Sequence, residues 1–339
     1  MSHALPRALG APVLQARIRC AAEDFRVDEQ LGFAPEGAGE HLFLRVEKRA
    51  ANTVWVAGEL ARWAGVAPSA VGYAGLKDRH ALTRQTFSLH LPGREPPAAL
   101  PEHPEYRVLE MARHRRKLPR GALSGNRFEL TLRELRGAPA AIEARLAEIA
   151  RRGVPNWFGE QRFGRDGGNL ERARALFAGR RMPREQASIL LSAVRSAAFN
   201  AILAARVEQA CWDTPVEGEV FMLDGARSVF GPEPLSESLL QRCIEGDVHP
   251  TAALWGAGAL RTTGRAADLD RRAGDIGEPL LAGLERAGLR QERRATRLRP
   301  RQLRWRWAAE DTLELAFGLQ AGSYATALLH ELGMTQASD

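Results

Sequence analysis

The chain has 339 residues, 45% of them hydrophobic, and carries a formal charge of +7 with a pI near 10.0, so two domains with buried cores are expected, and a polyanionic partner. Cys20, Cys211 and Cys243 are an odd number, far apart and without a Cys-x-x-Cys pair, which argues against a disulfide framework or a zinc site. No run reads as a membrane span of roughly 20 apolar residues, and the N-terminus lacks the order of a signal peptide, so a cytoplasmic protein without a membrane partner is expected.

Between Ile18 and Val46, strands flank a Gly-rich loop from Gly32 to Gly39. Phe25 and Val27 lie on the first, and Leu42, Leu44 and Val46 alternate with Phe43 and Arg45 on the second. Asn52 or Thr53 caps a helix through Val54, Ala57, Leu60, Ala61 and Ala64, which Gly65 and Pro68 end. Val71, Tyr73 and Ala74 make a short strand closed by Gly75, and Phe87, Leu89 and Leu91 alternate with Ser88 and His90 as another. Asp78 thus falls in a loop between two strands, flanked by Lys77 and Arg79. That setting suits a carboxylate acting as nucleophile or base; the plainer reading is that Asp78 closes a polar turn.

A Pro-rich loop from Leu91 to Pro104 leads to a strand through Tyr106, Val108 and Glu110, and then to Arg113-His-Arg-Arg-Lys117, either a solvated tip or a set of phosphate contacts. Gly125-Asn-Arg127 opens a strand on which Phe128, Leu130 and Leu132 share a face. Ile142, Leu146 and Ile149 repeat at helical spacing until Gly153 and Pro155. Trp157, Phe158 and Phe163 beside Gln161, Arg162 and Arg165 read as an RNA-facing platform or as hinge packing. Asn169 caps a helix through Leu170, Ala173, Leu176 and Phe177, and a helix through Leu190, Val194, Ala198, Ile202 and Ala205 is apolar nearly all round. From Pro215 to Gly288 the pattern weakens, and Gly256-Ala-Gly258 alone makes no dinucleotide site.

Arg290, Arg293, Arg294, Arg297, Arg299, Arg301, Arg304 and Arg306 then crowd one segment with Trp305 and Trp307, the composition of a surface that holds phosphates and unpaired bases. Lysine occurs only at Lys48, Lys77 and Lys117, and codon bias toward arginine accounts for part of this excess. Leu313 and Leu315 alternate with Glu314 and Ala316 as a strand, and Ser323 caps a last helix through Leu328 and Leu329. That strand returns to the first domain's sheet. Residues 1–151 and 299–339 are therefore expected to form a discontinuous domain, with 152–298 as an insertion.

Ala74-Gly-Leu-Lys-Asp-Arg-His-Ala-Leu-Thr-Arg-Gln85 resembles the signature of the tRNA pseudouridine synthase D family. Glu23-Asp-Phe25, Gly39-Glu-His41, Gly125-Asn-Arg-Phe128, Val154-Pro-Asn-Trp-Phe-Gly-Glu-Gln-Arg-Phe-Gly164, Leu191-Ser-Ala-Val-Arg-Ser-Ala-Ala-Phe-Asn200 and Ala321-Gly-Ser-Tyr-Ala-Thr326 resemble further stretches in the family's order, so the resemblance covers nearly the whole chain. It implies an α+β fold: a mixed, mainly antiparallel sheet flanked by helices, with an inserted second α/β domain.

The resemblance also implies isomerisation of uridine to pseudouridine in tRNA, at position 13 of the D arm, with no metal or other cofactor. Asp78 is then the catalytic carboxylate, and Phe25, Asn126 and Phe128 receive a base taken out of its stack. Arg19, where the family commonly carries lysine, or Lys77 holds the carboxylate's charge. Arg79, His80, Arg113, Arg115, Arg116, Lys117, Arg297, Arg299 and Arg301 are candidates for RNA contact. No protein partner is evident and a monomer is expected. The rival reading is a non-catalytic RNA-binding protein or RNA chaperone on the same fold, which has no need of Asp78.

Overall fold

Segments with an apolar period of two become strands, and those with a period of three to four become helices, in the computed structural model, which describes residues 5–337. The strands of the N-terminal half are β1 (Leu14–Ile18), β2 (Phe25–Gln30), β3 (His41–Arg49), β4 (Val71–Tyr73), β5 (Leu82–His90), β6 (Tyr106–His114) and β7 (Gly125–Arg136). They join a hairpin of Arg301–Ala309 and Thr312–Gln320 in one ten-stranded sheet, in which the hairpin is followed by β7, β2, β5, β3 and β6. β1 pairs along β7 and with Gly333–Ala337, and β4 along β5. β2 runs parallel to β5; β7 is antiparallel to β2 and to the hairpin, and β3 to β5 and β6.

Register sorts the side chains by face. Phe128 stands opposite both Val27 and Phe317, and Leu130 opposite both Phe25 and Leu315, so these buried residues share one face. Arg127 and Glu129, in register with Asp28 and Arg26, stand on the other. The helix α1 (Thr53–Ala64) starts where the Asn52 side chain accepts from the Val54 N–H, and ends at Gly65 with φ 59. Its Val56, Leu60, Ala61 and Ala64 pack with Leu42, Leu44, Phe87 and Leu89 of the sheet.

The chain divides into two units, each discontinuous. Leu14–Pro139, Pro300–Gly322 and the residues from Met334 carry the sheet; the residues up to Val13, Ala140–Arg299 and Ser323–Gly333 form the other. The division differs from the expected insertion of 152–298, because distant segments are tied together. Glu331 accepts from the backbone N–H groups of Ala8 and Leu9, at 3.1 and 3.0 Å, and Arg145 donates to the Glu331 carbonyl at 2.7 Å. Periodicity within any one of those segments carries no sign of the others.

The second unit has a four-stranded sheet and, as its spine, the helix Arg184–Glu208, with Leu190, Val194, Ala198, Phe199, Ile202 and Leu203 buried. This is the one helix among the described residues long and apolar enough to cross a membrane by length and composition, which corrects the expectation that no such run exists. Half of its apolar window is buried. Arg206 on it is wholly buried and donates two hydrogen bonds to Glu219, each of 2.9 Å. Two expected caps differ as well. Asn169 sits within the helix Gly168–Phe177 and donates to the Arg162 carbonyl, and the last helix, Ala325–Leu332, takes Tyr324 rather than Ser323 as its cap residue.

Candidate active site

Asp78 lies in the loop between β4 and β5, one-fifth exposed. Its Oδ2 accepts from Arg19 Nη2 at 2.5 Å, and its Oδ1 accepts from the His80 N–H at 3.0 Å. The second bond is the turn that an aspartate makes with the backbone two residues on. Asp78 thus closes a turn with one oxygen and meets a guanidinium with the other. Arg19 follows β1 in the left-handed region, at φ 58, and its guanidinium also stands 4.4 Å from the centre of the Phe25 ring.

The loop is anchored from below by buried polar groups. The Lys77 N–H donates to Thr53 Oγ1 at 3.1 Å, that hydroxyl donates to Gln85 Oε1 at 2.9 Å, and Gln85 Nε2 donates to the Gly75 carbonyl at 3.2 Å. Lys48 is wholly buried on β3 and donates to the carbonyls of Ala51 and Asp78, at 2.7 and 3.1 Å. Burial pushes its pKa down to about 8, against the pull of the Asp78 charge.

Of the two cations expected to hold the carboxylate, Arg19 does so. Lys77 turns instead to Glu29, at 2.5 Å, with both side chains nearly closed to solvent. Glu29 also accepts from the Thr86 N–H at 3.1 Å, so the Lys77–Glu29 pair ties the loop to β2 and β5.

Asn126 stands opposite Glu29 across β2 and β7, and its Oδ1 is buried without a hydrogen-bond partner among the described residues. Phe128, two residues on along the same face, meets Phe25 edge-to-face with centroids 6.3 Å apart and stacks on Phe317 at 5.5 Å. Phe25 and Phe128 are 5% and 7% exposed, so they present a rim rather than an open ring face.

The RNA-contact candidates fall into two groups. Arg79 and His80 are exposed beside Asp78, Arg115 and Arg116 are exposed on the loop after β6, and Arg301 is exposed on the edge strand. Arg115 pairs with Glu36 at 3.2 Å. The others turn to the protein. Arg113 donates to the Arg94 carbonyl at 2.6 Å, the exposed Lys117 to the Ser69 carbonyl at 2.7 Å, and Arg299 to the Glu245 carbonyl. Arg297 is buried, with Nε on His249 Nδ1 at 3.0 Å and Nη2 on the Cys243 carbonyl at 2.6 Å. Arg293 meets Asp270 at 2.5 Å, and Arg294 lies 4.1 Å from the Phe158 ring. Much of the arginine-rich segment is thus internal scaffold of its unit.

Lys48, Thr53, Gln85 and Glu29 escaped sequence reasoning as parts of the site. One signal was present: in a chain that otherwise uses arginine, two of the three lysines stand at this loop.

The family described as tRNA pseudouridine synthase D (TruD) matches residues 7–172 and 169–332. The tRNA pseudouridine synthase D of Xanthomonas axonopodis pv. citri is 54% identical, over 97% of this chain and 94% of that one. The protein of the same name from Aeromonas salmonicida is 47% identical over the same shares. A crystal structure from Methanosarcina mazei, named for tRNA pseudouridine synthase D, has the same fold, with a TM-score of 0.69 at 20% identity over 97% of this chain and 95% of that one. Motifs in the same order and matches that run nearly end to end lead to one assignment: the chain belongs to the tRNA pseudouridine synthase D family.

Proposed function

We propose that the protein isomerises uridine to pseudouridine in tRNA, at position 13 of the D arm, with Asp78 as the catalytic carboxylate. The observation that carries this reading is the setting of Asp78, a part-exposed carboxylate on a loop pinned by Lys48, Thr53 and Gln85 and paired with Arg19 at 2.5 Å. The names of its relatives, tRNA pseudouridine synthase D, support the substrate.

The reaction breaks the bond from ribose C1′ to uracil N1, turns the base, and joins C1′ to C5. A proton leaves C5 and one is gained at N1, so no oxidant or reductant is consumed. Asp78 either attacks the ribose, takes a proton from the sugar, or attacks the ring; each role divides a hard step into easier ones or moves one proton. Arg19 orients the carboxylate. The unpaired Asn126 Oδ1 is an acceptor for the uracil N3–H, and the rims of Phe25 and Phe128 receive the base. Arg79 and His80 lie where phosphates beside the target base would come. The sheet-bearing unit is the catalytic one, and the protein works as a monomer in the cytoplasm.

Tritium release from tRNA transcripts carrying 5-³H-uridine tests the reading. Wild type should release tritium and modify position 13, and Asp78→Asn should bind tRNA and release none. Tight tRNA binding with no release by either protein would favour the RNA-binding alternative.

A further inference from the structure

The edge hairpin of the large sheet contains an irregularity on the face opposite Phe128 and Phe317. Arg301 partners Gly318 and Arg304 partners Ala316, three residues along one strand against two along the other. Gln302, between them, takes φ 51, a left-handed conformation that a non-glycine residue adopts at a cost. In a regular strand, residues three apart point to opposite faces; the extra residue brings Arg301 and Arg304 to the same one. Arg127 of β7, in register with Gly318, joins them there.

These three exposed arginines, with Gln30 and Gln302, surround a trough of about 450 Å³ whose floor is Gly125, Ala316 and Gly318. No carboxylate stands among the described residues that line it. On the same face Arg45 meets Asp28 at 2.5 Å, Arg84 and Arg107 meet Glu47 at 2.8 and 2.7 Å, Arg306 meets Glu314 at 2.6 Å, and Arg26 donates to the Glu23 carbonyl at 3.2 Å. Arg127 reaches Glu129 only at 3.7 Å. The trough gathers three guanidinium groups over a low floor of small residues, with no carboxylate among its described lining.

We propose that the trough binds phosphodiester groups of the tRNA outside the segment that carries the target uridine. Planar guanidinium forks match phosphate oxygens two at a time, and a floor without side chains lets a nucleic-acid backbone lie close to the strands. The two glutamine amides suit ribose hydroxyls. The trough opens on the face opposite the phenylalanines proposed to receive the base. Its phosphates therefore belong to another part of the molecule. This rests on tRNA being the substrate.

The test compares an unmodified whole-tRNA transcript with a D-arm hairpin, each bound across a range of salt by wild type, by the double variant Arg127→Ala/Arg304→Ala, and by Ala316→Glu. Ala316→Glu keeps all three arginines and adds a charge to the floor, so it carries the test if the double variant fails to fold. Both variants should bind whole tRNA about tenfold more weakly, and the slope of log affinity against log salt should shrink by roughly one to two, at about 0.7–0.9 per phosphate. Affinity for the hairpin should stay at the wild-type level. Unchanged tRNA affinity and slope, or an equal loss on the hairpin, would overturn the proposal. A wild type that binds tRNA yet forms no pseudouridine would instead sink the proposed function, with the salt comparison still readable.

Discussion

Lys48 brings a charge into a place that water does not reach. Its pKa falls from 10.5 to about 8 on burial, so the folded chain releases this proton before the unfolded chain does. The cost of burying the charge is complete below pH 8 and fades as the pH rises towards 10.5. Between about pH 7.5 and about pH 10 the stability of wild type relative to Lys48→Met should therefore rise, by about 2 kcal/mol, as read by urea unfolding. A difference that stays flat with pH would show that Lys48 holds no displaced proton. Arg19 makes a separate case. It supplies the cation paired with Asp78, so Arg19→Lys, which keeps that charge, should keep turnover within about tenfold while Arg19→Met loses about a hundredfold or more. That pairing was half legible. Arg19 and Lys77 were both candidates, and adjacency to Asp78 spoke for Lys77. A long side chain next to a loop residue can leave on either side, and the buried Glu29 carboxylate decides which.

Elements set how firmly the loop is held. Thr53 opens α1, and its hydroxyl both receives the Lys77 N–H and donates to Gln85, so the start of the helix and the base of the loop are one structure. Gln85→Leu leaves the Thr53 hydroxyl and the Gly75 carbonyl without this partner. It should cost about 1–3 kcal/mol of stability and lower kcat more than it raises KM for tRNA. In the second unit, Glu219→Ala should cost about 3–5 kcal/mol by denaturant unfolding, because it strands the buried Arg206 charge. The strands around Asp78 were legible because alternation survives on either side of the charged stretch, as was α1 from Asn52 and Gly65. The arginine-rich segment was misleading for a physical reason. A run of guanidinium groups reads as surface, and the partners that draw Arg293 and Arg297 inward, Asp270 and His249, lie more than twenty residues away in sequence.

At the scale of the molecule, the chain passes between its two units five times, after Val13, Pro139, Arg299, Gly322 and Gly333. A fragment of residues 152–298 lacks Arg145, the segment up to Val13 and the helix Ala325–Leu332, all parts of its unit. Expressed alone, it should show no cooperative thermal transition, whereas the whole chain should. The sparing use of lysine gives the intact protein one more property. Lys117 is exposed while Lys48 and Lys77 are enclosed beside Asp78, so an amine-directed reagent meets the last two only when that region opens. The rate at which they take up label is thus a built-in clock for opening of the loop that carries Asp78, and bound tRNA should slow it.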